Sequence, residues 1–375
     1  MKKQDENAKL KYYTASQWQL IWWRFRKHRL SIVGMTILSI FIIFALFPEF
    51  FAPYSPTERN GESTLCPPSK IVFKDTDGKF SLAPYVYGVK RARNPETLKM
   101  EYVVEYVVDE TNMQPLQFFV KGEKYKLFGF LPGSIHLYGI EKGYVHLWGT
   151  DTMARDIFSR TIFATRSSLS IGILGLMIAF IIGLLIGGVS GYFGGWVDNF
   201  FQRLTEFIRS IPTYPLWMGV AAAMPREWGP RTVYFMMTII LGFIGWTTLA
   251  RRIRSQIISI READFIIAAK LCGASDMRII FKHMIPTFIS YVIVDLTISF
   301  PNMILSETSL SFLGLGLRPP VTSWGVLLRS AQNLNSIVNS PWMFIPAIFV
   351  ILAVLSFSFV GDGLRDAADP YSEKS

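Results

Sequence analysis

The chain has 375 residues and a mass of 42.7 kDa; half of its residues are apolar and its mean hydropathy is +0.31. Charged residues reach only 18%, against roughly 25% in soluble domains, and the deficit is concentrated in long uncharged runs. Such a chain is not a pair of soluble domains, and its net charge of +10 is better explained by membrane topology than by nucleic-acid binding.

Residues 1–29 form a cytoplasmic amphipathic segment in which Trp18, Trp22 and Phe25 share one helical stripe among cations. That stripe fits an interfacial helix on the cytoplasmic leaflet or a plain extension of the first span. Residues 30–48 are the first transmembrane helix. With 29 residues before it and Phe47-Pro48-Glu49-Phe50-Phe51 after it, the run reads as an uncleaved anchor. Residues 49–166 make a long extracytoplasmic loop. Within it, about 68–147 change character to β-branched and aromatic runs. Lys70-Ile-Val-Phe-Lys precedes Asp77-Gly78, Tyr102-Val-Val-Glu-Tyr-Val-Val108 follows, and Leu116-Gln-Phe-Phe-Val120 precedes Gly122-Glu123. Alternating runs separated by such pairs predict hairpins in a small β-rich insert.

Residues 167–361 form the transmembrane core, with spans expected at 168–189, 208–224, 232–250, 284–305 and 342–360; residues 362–375 are a cytoplasmic tail. The distribution of cations supports this threading. Residues 1–29 hold eight Lys/Arg and the 251–282 loop seven, whereas 225–231 and 307–341 hold two each. The expected fold is an all-α polytopic membrane protein of six transmembrane helices, both termini cytoplasmic, with the β-rich insert between helices 1 and 2.

Catalytic motifs are scarce. Gly188-Val-Ser-Gly191 matches the short pattern of rhomboid-type intramembrane proteases, but none of His28, His136, His146 and His283 lies well inside a span to act as base. Small residues for close helix packing, with Gly172, Gly175, Gly183 and Gly187, are the better reading. The sequence contains neither a His-Glu-x-x-His metal motif nor a phosphate loop, so ATP, if used, is bound by another polypeptide. Cys66 and Cys272 fall on opposite sides of the membrane, which argues against a disulfide. An ion-coupled secondary transporter remains an alternative, although Asp295 is the one ionisable residue deep in an expected span.

Two features carry functional information. In the cytoplasmic loop 251–283, Phe265, Ala268, Ala269 and Cys272 follow i, i+3, i+4, i+7 spacing on one helical face. Gly273 stops that helix and Ser275 can cap a second one through Ile280, before Pro286 opens the fifth span. This two-helix elbow reads equally as a docking surface for a partner protein or as an amphipathic elbow resting on the membrane. Glu262, Asp264, Arg278 and Lys282 would form a polar rim around it, and Asp276 belongs to the same loop. The second feature is Asp295, which must face the bundle interior or water, with Pro301 and Asn302 one to two turns on; a pathway-wall or helix-tying role is favoured over a substrate contact.

Ala268-Ala-Lys-Leu-Cys-Gly273, with Pro286 thirteen residues later, resembles the coupling-loop signature of ABC-importer permeases, with Ile267, His283 and Ile285 departing from its usual residues. Further segments are similar to the C-type permeases of dipeptide, oligopeptide and nickel importers. They are Phe25-Arg-Lys-His-Arg-Leu-Ser-Ile-Val-Gly34, Phe51-Ala-Pro-Tyr-Ser-Pro56, and His146-Leu-Trp-Gly-Thr-Asp-Thr-Met-Ala-Arg-Asp-Ile-Phe-Ser-Arg160. Leu310-Ser-Phe-Leu-Gly-Leu-Gly316 and Gly361-Asp-Gly-Leu-Arg-Asp-Ala-Ala-Asp-Pro370 complete the set. The likeness covers 25–60 and 146–370; the insert at 61–145 exceeds the usual family loop.

The resemblance implies a non-catalytic permease subunit of the bacterial inner membrane that binds no cofactor. Its partners would be a related B-type permease, two ABC ATPase subunits carrying ATP and Mg, an extracytoplasmic substrate-binding protein, and membrane lipid. Nucleic acid would not be among them. Oligopeptides or dipeptides are the expected cargo, with oligosaccharides and nickel chelates also carried in the family. The 262–282 loop would couple the pathway to the ATPases, and the insert could receive the binding protein, cap the pathway mouth or pack on the partner permease.

Overall fold

Ser16 opens the first helix with a capping box. Its Oγ accepts the Gln19 N–H at 3.4 Å and the Gln19 Oε1 accepts the Ser16 N–H at 3.0 Å. The resulting α1 (Gln17–Phe25) belongs to a computed structural model that describes residues 16–74, 80–92, 105–141, 143–225, 227–333 and 338–368. A turn at Arg26-Lys27 separates α1 from α2 (Arg29–Leu46), so it is a helix of its own and not an extension of the first span. The aromatic stripe divides: Ile21 and Phe25 are buried in one apolar cluster with Ala367 of the last helix, while Trp18 and Trp22 face outward.

Among the described residues, five helical rods are long and apolar enough to cross a membrane: Arg29–Leu46, Ile157–Phe193, Pro230–Ile260, Asp276–Phe312 and Pro341–Ala368. After a single turn α3 (Pro48–Phe51) and the insert comes α4 (Ile157–Phe193), which at 37 residues is about 55 Å long. Asp156 caps it by accepting the Ser159 N–H at 2.7 Å. The C-terminus of α2 is fastened to α4 by Arg166. Its guanidinium donates to the Ala45 and Leu46 carbonyls and pairs with both oxygens of Glu49 at 2.6 and 2.8 Å, placing a cation where the helix dipole is negative.

The third expected span takes a different form. Helix α5 (Gly195–Ser210) carries Asp198, Arg203, Glu206 and Arg209, the chain is extended at Ile211, and α6 (Thr213–Ala222) has only 10 residues, about 15 Å. Pro212 accounts for the break, because its ring disfavours helical geometry at the residue before it and it has no N–H to give. The expected architecture therefore stands as five continuous apolar rods and one broken helix.

Helix α7 (Pro230–Ile260) returns against α4, and this is the most extensive helix pair in the fold. The contact runs along a ladder of glycines. A Cβ at Gly183 would meet the Leu249 side chain at 3.1 Å, at Gly187 the Ala250 carbonyl at 2.5 Å, and at Gly191 the Arg254 carbonyl at 2.9 Å. Backbones this close exclude any side chain, which is the packing role expected of the small residues. Gly187→Leu should force the two rods apart. We expect near-complete loss of folded protein in detergent extracts, measured by fluorescence-detected size exclusion, whereas Gly219→Ala, where the added carbon meets nothing within 4 Å, should leave the profile intact.

Beyond α7 lie α8 (Asp264–Leu271) and α9 (Asp276–Arg278). The expected second elbow helix through Ile280 is instead the first turns of the fifth rod. A π-helical turn, Ile279–Met284, and a 3-10 turn, Ile285–Phe288, lead directly into α10 (Ile289–Phe312). The wider and tighter turns absorb Pro286, whose missing N–H would otherwise break a regular helix. Helix α10 continues through Pro301, then α11 (Trp324–Ser330) and α12 (Ile345–Ala368) close the bundle.

The insert forms two antiparallel sheets. Strands β1 (Ile71–Lys74), β2 (Phe80–Ala92) and β3 (Glu105–Pro115) pair in that order, and β4 (Gln117–Leu127) pairs with β5 (Leu131–Gly139). The Asp77-Gly78 turn and residues 102–104 of the expected second run lie outside the described residues. Gly122-Glu123 does not turn the chain. Strand β4 runs through it with a register shift between Lys121 and Tyr125, and the turn comes at Phe128–Phe130.

Candidate functional site

The elbow is built on one fully buried side chain, Ile266. It shares an apolar cluster with Ile253 and Ile257 of α7, Ile279, Ile280 and Met284 of the fifth rod, and Tyr192 at the end of α4. Ala269 packs against the same cluster, one helical turn on. The inward face of α8 is therefore Ile266 and Ala269, so of the expected Phe265–Ala268–Ala269–Cys272 face only Ala269 turns partly toward the bundle. Phe265, Ala268 and Cys272 are exposed, together with Ile267 and Leu271, the latter 84% exposed. Met277 and Phe281 extend this outward apolar surface. Glu262, Asp264, Arg278 and Lys282, the residues expected to form a rim, are all exposed.

Gly273 ends α8 in a Schellman arrangement: the Ala274 N–H reaches the Ala269 carbonyl at 3.1 Å and the Gly273 N–H reaches Lys270 at 2.9 Å. Its φ is +79° and an added Cβ would meet nothing within 4 Å. Glycine is thus required here by backbone conformation rather than by lack of room. Ser275 occupies the N-cap position of α9 in extended geometry, without a side-chain capping bond. Pro286 is exposed at the start of the 3-10 turn.

Polar ties fix the elbow to the rods. The Tyr192 hydroxyl donates to Asp276 Oδ1 at 2.7 Å, and Lys270 Nζ lies 4.9 Å from the centre of the Tyr192 ring. Asp198 of α5 accepts two bonds from Arg254 of α7, each 2.5 Å, and a third from the buried Ser190 at 2.5 Å. That serine, the one in the protease-like pattern, is therefore committed to a structural bond. The ends of α4, α5, α7 and α8 and the start of the fifth rod are thus tied together by side-chain bonds.

Behind the elbow, Asp295 is 7% exposed and ion-pairs with Arg252 of α7; its second oxygen has no hydrogen bond among the described residues. Arg252 was counted in the sequence as a loop cation, but α7 extends to Ile260 and carries it along the bundle wall. Its side chain is 41% exposed and lines two cavities. One, of about 380 Å³, is also lined by Arg209, Trp217, Thr247, Ser299 and Asn302. The other, of about 590 Å³, is lined by Asp295, Tyr291 and Arg365. Asn302 thus faces a cavity, and Asp295 ties two rods at the edge of another.

Sequence reasoning passed over Glu307. It is fully buried where α4, α10 and α11 meet, accepting bonds from Ser311 at 2.8 Å and Ser168 at 3.3 Å. Ser168 also accepts the Trp324 N–H at 3.2 Å, and Ser311 the Leu317 N–H at 3.1 Å. The signal was available: a carboxylate four residues before a serine in the Leu310–Gly316 motif.

At the opposite end of α4, the His146–Arg160 motif folds into a knot. Asp151 accepts from the Met153 N–H at 2.8 Å and the Arg155 N–H at 3.0 Å, and pairs with the Arg155 and Arg160 side chains. His146 Nδ1 lies 3.0 Å from Asp156 Oδ1.

Long apolar rods, polar groups lining open cavities and an exposed apolar elbow at one end define a multi-span membrane protein. Residues 168–373 match the family described as binding-protein-dependent transport system inner membrane component, and residues 16–68 match the N-terminal transmembrane domain of oligopeptide transport permease C. The chain is 40% identical over 223 residues to the oligopeptide transport system permease protein OppC of Haemophilus influenzae, covering 59% of this chain and 69% of that one. It is 37% identical over 224 residues to the dipeptide transport system permease protein DppC of Bacillus subtilis, covering 59% and 68%. Against DppC of Lactococcus lactis subsp. cremoris the identity is 29% over 368 residues, 98% and 94% of the two chains, so that likeness runs through the insert as well. The chain belongs to the family of binding-protein-dependent transport inner-membrane components, as a permease of the C type.

Proposed function

We propose that this chain forms half of the translocation pathway of an ATP-driven peptide importer and that the 262–282 elbow seats on an ATPase subunit. Oligopeptide and dipeptide permeases among its relatives support the cargo. The observation that carries the coupling role is the outward apolar surface of Phe265, Ile267, Ala268, Leu271, Met277 and Phe281, held on a rigid mount by Ile266 and the Tyr192–Asp276 bond. An exposed apolar patch with a charged rim is how a soluble partner is received. In this reading both termini and the elbow are cytoplasmic, in keeping with the cation-rich segments. A second, related permease completes the pathway, an extracytoplasmic protein delivers cargo, and ATP with Mg is bound by the two partner ATPases.

The mechanism is mechanical. ATP draws the two ATPase subunits together, the elbow follows its seat, and the clustered ends of α4, α5, α7 and the fifth rod follow the elbow. ATP supplies the differential binding energy between inward-open and outward-open arrangements. Asn302, Ser299 and Thr247 line the cavity that this motion would open and close, while Asp295 and Arg252 hold α7 to α10.

Gly273→Val tests the coupling. A β-branched residue at φ +79° costs about 1–2 kcal/mol and twists the exit from α8. In the reconstituted four-subunit transporter, uptake should fall at least tenfold while ATP hydrolysis persists. Uptake at the normal rate would refute the docking role.

A further inference from the structure

The β4–β5 hairpin exposes a set of aromatic side chains that no part of the protein covers among the described residues. Phe118, Phe119, Phe128, Phe130 and Leu131 are each about half exposed or more, with Phe119 at 68% and Phe130 at 71%. Two of them are held in costly backbone conformations: Phe119 has φ 58° and Phe128 has φ 53°. A bulky residue in the left-handed region is disfavoured by about 1–2 kcal/mol, and asparagine or glycine makes a turn there with less strain. Neither ring is buried, so core packing does not offset that cost.

The position of the patch identifies what does. Phe47 is the C-cap residue of α2, an apolar spanning rod, and its ring lies 6.1 Å from that of Phe128. Phe50, one turn further on, lies 6.2 Å from Phe119. Below these rings the outer face of α2 presents Ile40, Ile42, Ile43 and Leu46, also exposed. The aromatic patch is therefore continuous with a surface that faces lipid, at the level where the rod leaves the hydrocarbon. Aromatic side chains are favoured at that depth. The same hairpin exposes Lys121, Lys124 and Lys126 against one carboxylate, Glu123, a balance suited to anionic headgroups. A two-stranded sheet is also marginal alone in water and gains from a second surface to rest on.

We infer that the β4–β5 hairpin is a membrane anchor, its Phe118–Phe119 and Phe128–Leu131 side chains seated in the headgroup region of the leaflet at the C-terminal end of α2. The anchor fixes the insert's tilt over the bundle. It does not depend on the cargo or on ATP coupling.

The test places a nitrobenzoxadiazole label at Phe128→Cys, at Phe130→Cys and, as reference, at the exposed Glu62→Cys, each in a full-length Cys272→Ser chain; Cys66 is buried. The chains are embedded in nanodiscs of phosphatidylethanolamine and phosphatidylglycerol, with or without lipid carrying a nitroxide on the upper acyl chain. Labels at 128 and 130 should emit to the blue of the label at 62 and lose most of their emission to the nitroxide lipid, while the label at 62 loses little. Equal, water-like behaviour at all three positions would overturn the anchor. So would shielding of 128 and 130 that appears only when an extracytoplasmic binding protein is added, which would make the patch a protein-docking surface.

Discussion

Leu271→Asp should abolish transport while leaving the chain folded. Leu271 is 84% exposed and makes no part of the apolar cluster beneath α8, so the substitution removes no buried packing and adds a charge where water already reaches. Surface substitutions of this kind change stability by only about 0.5 kcal/mol. If the elbow seats on an ATPase subunit as proposed, Leu271 on its outward apolar surface would be covered, and burying an unpaired carboxylate there is costly. A loss of about 2 kcal/mol or more at an interface centre is at least about a thirtyfold loss of affinity for the ATPase. Thermal unfolding of the purified chain and co-purification of the ATPase subunit are the two readouts. Unchanged stability with lost co-purification is expected; full co-purification would mean that the elbow meets something other than the ATPase.

The second large effect concerns Arg252 and Asp295, whose two halves are unequal. Asp295 is buried with one oxygen already unpartnered, whereas Arg252 is 41% exposed and reaches two cavities. Removing one member of a fully buried pair costs about 3–5 kcal/mol because the survivor is left unpaired and dry. Arg252→Met strands the buried carboxylate and should approach that cost. Asp295→Asn leaves a guanidinium that the cavities can hydrate, and should cost about 1 kcal/mol, nearer to an exposed pair. Arg252→Met/Asp295→Leu should recover most of the loss. Unfolding temperatures in one detergent measure all three, and equal losses from the two single variants would contradict the asymmetry. A helix tie also predicts that Asp295→Asn slows import of charged and neutral peptides alike.

Much of this was legible in the residues. Charge-free runs located four of the rods and a run interrupted only by Asp295 the fifth, glycines of α4 marked where α7 packs closely, and Gly273 marked the end of α8. Other features depended on packing that sequence does not carry. Five of the eight residues of α8 are Phe265, Ile266, Ile267, Ala268 and Ala269 in succession, so periodicity cannot say which stripe faces in. Only the apolar cluster under Ile266 decides it. The break in the third span was not foreseen because a charge-free run was counted through Pro212, which interrupts the helix. The Arg252–Asp295 tie joins positions 43 residues apart, and Arg252 looked like a loop cation because the end of a long helix past its apolar stretch resembles a loop in composition.

The central claim, that the elbow is covered by an ATPase subunit, has a probe already in place. Cys272 is exposed at the end of α8, whereas Cys66 is buried and burial pushes its thiol up to about 12, so it does not form the reactive thiolate near neutral pH. Maleimide labelling of the native chain therefore reports on one site. The account predicts fast labelling of Cys272 in the isolated permease and strong protection once the ATPase subunits are assembled on it; labelling at the same rate in both states would contradict it.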